Sequence, residues 1–455
     1  MPFEPEVKPA SGLPPDSPDT PVVIVGAGAC GLTAALMLRD AGIDCVLLER
    51  DAQAQGSTAL SSGFVPAAGT QVQRTAGVHD DSAARFAADI QAKAHGSAAA
   101  HLVAAYTQAA APALDALQQR HGLNFELLQG FLYPGHSALR MHTLPHRTGA
   151  ALVSALEAAA VRVGAVVLTS ARVHGLCCDR ATGRVHGVAY DRPDGSVEHL
   201  ACQQLLLACN GFGGHAAMVQ ELLPEMRQAI FAGHAGNDGS AISWGRQMGA
   251  RLADLGGYQG HGSWAVPQGA LITWALMMEG GVQVNTGGHR FHDETAGYSE
   301  AAVQVLAQPG GVAFNLFDQR LLALGRSFPD FVAAEGAGAV KQACTVAELA
   351  ALIGCDTGVL QHTLAGTPLQ APYCAIKVTG ALFHTQGGLD IDAHCRVLRE
   401  DGTALPNLLA AGGAARGVSG NAVWGYLSGN GLLSAVAGGY IAAQTAAHQL
   451  LGSAA

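Results

Sequence analysis

One stretch near the start of the chain, VVIVGAGACGLTAALMLRDAGIDCVLLERD (22–51), restricts the possible folds more than any other. Val22, Val23, Ile24 and Val25 read as a buried strand, Gly26-Ala27-Gly28-Ala29-Cys30-Gly31 as a tight turn, and Leu32 to Asp40 as an apolar helix. A second strand, Cys45 to Leu48, ends on Glu49. This is the pattern of a dinucleotide-binding βαβ unit. Gly26 permits the turn, Gly28 lets backbone N–H groups approach a pyrophosphate at the helix N-terminus, and Gly31 lets helix and strand pack closely. Glu49 is placed to accept hydrogen bonds from ribose hydroxyls. In a chain with 59 glycines a bare GxGxxG carries little weight, and it is the flanking strands, helix and spaced acid that decide the reading.

At 455 residues the chain suits two domains. Its net charge of −10 argues against a nucleic-acid or anionic-membrane surface and leaves small molecules or proteins as partners. No apolar run reaches the ~18 residues a membrane span needs. The acidic, proline-rich residues 1–20 read as a disordered leader without signal-peptide character. Ten scattered cysteines, with no CxxC and no zinc spacing, fit reduced core residues of a cytoplasmic protein.

After Glu49 the segment from Gln53 to Ser62 is nearly free of bulk, as a loop lying against a flat, extended cofactor would be; a plain surface loop reads the same way. Residues 81–120 show helical periodicity, and Phe131-Leu132-Tyr133-Pro134-Gly135 is an aromatic turn whose Tyr133 faces either a pocket or a structural neighbour. Residues 148–163 read as a helix, and 166–179 with 183–192 as a hairpin. Leu205 to Gly214 is a buried strand running into a glycine cluster, a second place for backbone to approach a ligand. From 257 to 383 the composition shifts, with His261, Trp264, Trp274, Met277, Met278, His289 and His292 concentrated there. This predicts an inserted domain. The chain then returns to a strand and glycine turn, Leu408 to Gly413, and a small-residue helix over 431–447. The N-terminus of that helix suits packing or the pyrimidine end of a flavin.

Taken together, GAGACG with Glu49, GSTALSSGFVPAAGT, LLLACNGFGG, GNDGSAISWGRQMGA, NTGGHRFHDE, HTQGGLDID and NLLAAGGA resemble the FAD-binding family of fumarate reductases and 3-ketosteroid dehydrogenases over nearly the whole chain. The resemblance implies an α/β fold, a Rossmann-like FAD-binding domain (21–256 and 384–455) interrupted by an α+β cap domain (257–383), with substrate held between the cap and the isoalloxazine ring. It carries FAD contacts onto Gly26, Gly28, Ala29, Cys30, Gly31, Glu49 and Arg50; onto Ser57, Thr58, Ser62, Gly63 and Val173; onto Cys209, Asn210, Gly211, Asn237 and Asp238; and onto Gly412, Gly413, Gly431 and Leu432. Covalent members carry His in the loop after the first acid. Residues 51–66 contain none, so non-covalent FAD is expected.

The departures carry the functional reading. Where the reductases place an acid-donating Arg after RFxxE, this chain has Tyr298, as the ketosteroid branch does. Their proton-path Glu and Arg align with Trp274 and Met277, while Thr273 is retained, and their second substrate-clamping Arg is replaced by Tyr426. A dicarboxylate needs bidentate cations, and neutral tyrosines do not supply charge-assisted bonds. Gly413 stands where the family usually has Glu or Asn. Desaturation beside a ketone suits the residues better: a base for the α-proton, a donor polarising the carbonyl, and an apolar slot. Tyr298 is the candidate base, which requires a phenol made acidic by a nearby donor or positive partner. Tyr426 is the candidate donor, helped by a backbone N–H near Gly429 and oriented by Ser428. His261 and His384 fall where the reductases bind a substrate carboxylate; the other reading is two hydrogen-bonded core histidines. Trp264, Trp274, Met277 and Met278 read as pocket wall or cap core. The expectation is α,β-desaturation of a cyclic or apolar ketone, or a smaller oxo-ring compound. An unsaturated-acid reductase and a flavin-binding subunit without turnover are the alternatives. The electron acceptor is oxygen, a quinone or a separate carrier.

Overall fold

The computed structural model describes residues 4–130 and 132–452. The chain divides into two compact units, one formed by 1–218, 233–258 and 384–455, the other by 219–232 and 259–383. The mixed α/β architecture expected from the sequence is present in full.

The first unit is built on a nine-stranded sheet. Its labelled strands are β1 (Glu6–Pro9), β2 (Asp19–Val25), β3 (Cys45–Leu48), β4 (Val166–Leu168), β5 (Arg172–Cys178), β6 (Val185–Asp191), β7 (Val197–Leu207) and β8 (Ala404–Ala410). The parallel half runs β7–β2–β3–β4, with β8 on the other side of β7. Long β7 joins this half to an antiparallel β5–β6 hairpin: residues 197–201 pair with β6, and 201–207 with β2. Helices α1 (Ala29–Asp40), α2 (Ala100–His121), α3 (Gly149–Arg162) and α4 (Asn430–Gly452) are the longest of the unit's helices. α1 is buried through ten consecutive residues, Ala29 to Leu38. Its small residues admit α4: a Cβ on Gly439 would stand 2.4 Å from the Cys30 carbonyl oxygen. This close approach explains why α4 is so rich in Gly and Ala.

Two expectations change, and a third gains detail. Within the stretch read as a disordered leader, Glu6–Pro9 is a strand, parallel to β5 with Glu6 opposite Gly175. Its place at the sheet edge tolerates the flanking prolines, which cannot donate to a central ladder. Residues 166–179 are two strands: β4 pairs with β3, and only β5 joins the hairpin, because Ser170 takes a positive φ of 50° and breaks the run. Residues 81–120 hold two helices, separated by His95 and Gly96, both at positive φ. Phe131 lies outside the described residues; Tyr133 meets Phe64 edge-on, 6.2 Å between ring centres.

The second unit carries a largely antiparallel seven-stranded sheet, in which Val312–Asp318 pairs with Tyr373–Thr385 on one side and Val282–Val284 on the other. Its own apolar core includes Trp274, Phe317, Phe331 and Leu349.

Candidate active site

The βαβ turn folds for reasons visible in its glycines. Gly26 has φ +107°, and a Cβ there would stand 2.6 Å from the Ala208 carbonyl oxygen; on Gly31 it would stand 2.0 Å from that of Gly26. Gly28 differs: a Cβ would meet only Thr58 Oγ1, at 3.4 Å, so the turn is open on the side a ligand would use. Thr58 Oγ1 accepts the Ala29 N–H at 3.1 Å. Glu49 is buried and receives the Ala27 N–H on one oxygen (2.9 Å) and the Asp51 N–H on the other (3.0 Å). Burial pushes its carboxyl up from the usual range, and these two bonds oppose the shift.

Gly26, Gly28, Glu49, Arg50, Val173, Cys209, Asn210 and Asp238 line one cleft of about 540 Å³, part of it open to solvent. Arg172, His234, Ser240 and Trp244, which the sequence reading did not single out, line it too. Asp238 joins both arginines, 3.2 Å from Arg50 and 3.2 Å from Arg172. His234 pairs with Asp51 at 3.0 Å. These pairs lie far apart in sequence and leave no local signal. Asn237 is fully buried, donating to Ser57 Oγ (2.9 Å) and the His234 carbonyl (2.7 Å) while its Oδ1 has no partner. Ser62 stands exposed, and Gly63 packs so tightly that a Cβ would meet the Thr148 carbonyl oxygen at 2.7 Å. A glycine-floored helix entrance, a buried acid with two ordering amides and an orphaned buried acceptor fit the adenosine and pyrophosphate of FAD.

A second glycine group lies at the ends of β7 and β8. Asn210 has φ +65°, and a Cβ on Gly211 would overlap Thr385 Oγ1, at 2.0 Å. On Gly413 a Cβ would lie 3.3 Å from Asn210 Cα, so the Glu or Asn expected there would crowd this turn. Gly412 packs against Cys30, and Leu432 is partly buried at the start of α4.

In the same unit, Tyr426 is buried and the backbone N–H groups of Gly429 and Gly431 are directed at its hydroxyl oxygen. The oxygen therefore accepts. Burial drives the phenol well above its ordinary range and keeps it protonated. His384 meets the Tyr426 ring edge-on at 5.6 Å, and its pKa is pushed down by burial to about 4. A Cβ on Gly431 would stand 2.9 Å from the His384 ring, so this glycine is required by packing. The Ser428 carbonyl accepts from His136 Nε2 at 2.9 Å.

In the other unit, His261 sits in an aromatic box. Tyr298 stacks on it at 5.0 Å and 17°, Trp274 stands perpendicular at 5.8 Å, and Phe383 lies at 6.0 Å. Burial holds His261 neutral, down to about 3. The Ser263 N–H donates to its Nδ1 at 3.1 Å, which places the ring proton on Nε2 as a hydrogen-bond donor. The positive partner expected for Tyr298 is therefore not this histidine. Tyr298 opens a helix directly after Gly297 at φ +130°, and Trp274 Nε1 donates to the Glu294 carbonyl at 3.1 Å. Glu294 is buried, accepts the Gln283 N–H at 2.8 Å and binds Arg290 through both oxygens, so the RFHDE motif is the frame on which the aromatic box is hung. Thr273 Oγ1 accepts the Ala275 N–H at 3.3 Å.

Comparison with known proteins gives the chain's family and its relatives. The model of the FAD binding domain family matches residues 21–432. A probable fumarate reductase of Shewanella frigidimarina is 26% identical over 455 residues, 96% of this chain and 76% of the relative. A 4-oxocyclohexanecarboxylate 2-dehydrogenase of Sinomonas cyclohexanicum is 25% identical over 86% of this chain and 87% of its own. The structure of a 3-ketosteroid-Δ4-(5α)-dehydrogenase from Rhodococcus jostii RHA1 superposes with a TM-score of 0.77 at 23% identity, over 97% of this chain and 99% of the other. Among the described residues no helix is long and apolar enough to cross a membrane, and no cluster of three potential metal ligands is present.

Proposed function

Since the chain belongs to the FAD binding domain family and is an FAD-dependent oxidoreductase, we propose that it desaturates a cyclic ketone or a small oxo-ring acid at the α,β position. One observation carries the reading: Tyr426 is buried, and burial holds its phenol well above the ordinary range, so that the hydroxyl keeps its proton. Such a hydroxyl stabilises negative charge developing on a substrate carbonyl oxygen. Tyr298, ionised to its phenolate, takes the α-proton and becomes a neutral phenol, and it returns to the phenolate by passing that proton to solvent. Bound FAD supplies the acceptor for the hydride that leaves the β-carbon, completing the C=C bond. Trp274 and Phe383 offer apolar contact, while Thr273 and the Nε2–H of His261 offer polar ones, a combination suited to a ring carrying one further oxygen function. The relative that acts on 4-oxocyclohexanecarboxylate, a ring ketone with a carboxylate, supports this substrate class.

A reductase of unsaturated carboxylic acids is the second reading, favoured by the fumarate reductase relatives and by the His261 donor. Against it, His261 and His384 are both held neutral by burial. We place the FAD as non-covalent, from the absence of His in residues 51–66, and the protein in the cytoplasm, from ten cysteines that are all free.

The test is anaerobic titration of the FAD-loaded protein with ring ketones, oxo-ring acids and succinate. Ring ketones or oxo-ring acids should bleach the flavin and succinate should not. Bleaching by succinate alone would favour the acid reading, and no bleaching by any of them would leave a flavin-binding subunit.

A further inference from the structure

The Ser428–Gly429 peptide is held at both ends. Its carbonyl accepts from His136 Nε2 at 2.9 Å, and its N–H is directed at the Tyr426 hydroxyl oxygen. A carbonyl can only accept, so Nε2 must carry the imidazole proton. The other ring nitrogen confirms this, because Arg140 Nη1, which can only donate, approaches His136 Nδ1 at 3.3 Å. Arg140 is fixed in turn. It is 1% exposed, makes two bonds to Asp81 at 2.8 and 3.1 Å, bonds Asp89 at 2.5 Å, and lies 4.6 Å above the Phe86 ring. His136 is itself 6% exposed and packs beside Phe86.

We propose that His136 is a positioning residue that, through the Ser428–Gly429 peptide, sets the orientation and donor strength of the Tyr426 hydroxyl. The role it serves, polarising a ketone, rests on the reaction proposed above. Donation into a peptide carbonyl polarises the same peptide's N–H, and donation to a hydroxyl oxygen polarises its O–H, so the three bonds strengthen in series. Gly429, at φ +90° with Pro66 only 2.8 Å from where a Cβ would be, admits no side chain, so this peptide is held close against its neighbours.

The experiment uses the FAD-loaded protein carrying 3-fluorotyrosine, with the Tyr426 resonance assigned by its loss in Tyr426→Phe. In His136→Leu the Tyr426 fluorine resonance should move, kcat should fall about 10- to 100-fold, and KM should stay within about twofold. His136→Gln, which presents a donor amide to the carbonyl and an acceptor to Arg140, should restore both resonance and kcat. His136→Asn is too short to reach the carbonyl and should behave like Leu; it replaces the Leu variant if that one fails to fold. An unmoved resonance in Leu or Asn, or a Gln variant that shifts as far as Leu, would overturn the proposal. The fluorine readout needs no turnover, so a wild type inactive on ketones would sink the reaction while leaving the His136 link to be decided by the resonance.

Discussion

Each unit sets one tyrosine beside one histidine, and the two pairs are held by different means. Tyr298 lies flat on His261, 5.0 Å apart, and both rings are ordered by packing among other aromatics. Tyr426 meets His384 at 72°, and its oxygen is ordered by backbone amides. Packing defines where a ring is; hydrogen bonds define where its oxygen and proton are. The first arrangement fixes a ring by its faces, and it is the one assigned here to proton exchange. The second suits a group that keeps its proton and donates it throughout.

The contrast is broken most severely by removing the two oxygens. Tyr298→Phe should lower turnover by about 10²- to 10⁴-fold, as loss of a general base does, while the stacked ring remains. Tyr426→Phe should lower turnover by about 10²- to 10³-fold. It should also cost about 1–3 kcal/mol of stability, because the Gly429 and Gly431 amides lose a buried acceptor. Steady-state kinetics with thermal or urea unfolding checks both variants, and an undiminished stability of Tyr426→Phe would erase the distinction drawn here. A smaller effect is expected from His261→Phe, which keeps the stack and deletes the Nε2–H. Affinity for an oxo-ring acid should fall about tenfold, the worth of one hydrogen bond to a charged group, while a plain ring ketone is unaffected. Equal losses for both substrates, measured by competition binding, would contradict a role on the acid end.

The mildest perturbation, acid, reaches both units. His261 is held near 3, and His136 and His142 near 4, against an unfolded value of about 6.5, in each case by burial. Between pH 6.5 and 4 the unfolded chain binds the additional protons. Stability is therefore full above pH 6.5 and falls as pH drops, by at most ~1.4 kcal/mol per pH unit for each histidine. Urea midpoints across this range should show the slope, and His136→Gln should reduce it.

How much of this could be read from residues alone depended on distance along the chain. Gly31 is constrained by the Gly26 carbonyl oxygen inside its own motif, so the nucleotide turn was legible although Gly26 itself is closed in by distant Ala208, and α4 announced its close packing through small residues. Tyr298 and Tyr426 were legible because each stands inside a recognisable motif. The Arg140–His136–Ser428 connection was not: its last link spans 292 residues, and Arg140 and His136 belong to no motif. Glu294 was visible as part of RFHDE, but its work, anchoring Arg290 and the strand at Gln283, appears only once three elements converge. The strand Glu6–Pro9 was hidden because proline and acidic composition describe a segment's solubility and not the vacant sheet edge waiting for it.

That edge strand ties Glu6–Pro9 to the strand that forms part of the nucleotide cleft. Glu6 to Pro9 pair along β5, the strand whose Val173 forms part of the cleft wall beside Glu49 and Arg50. Limited proteolysis that clips off the first dozen residues should leave β5 as a bare rim, prone to self-association. Preparations nicked in this way should lose their yellow colour on dialysis sooner than intact ones, making colour retention a simple gauge of an undamaged N-terminus.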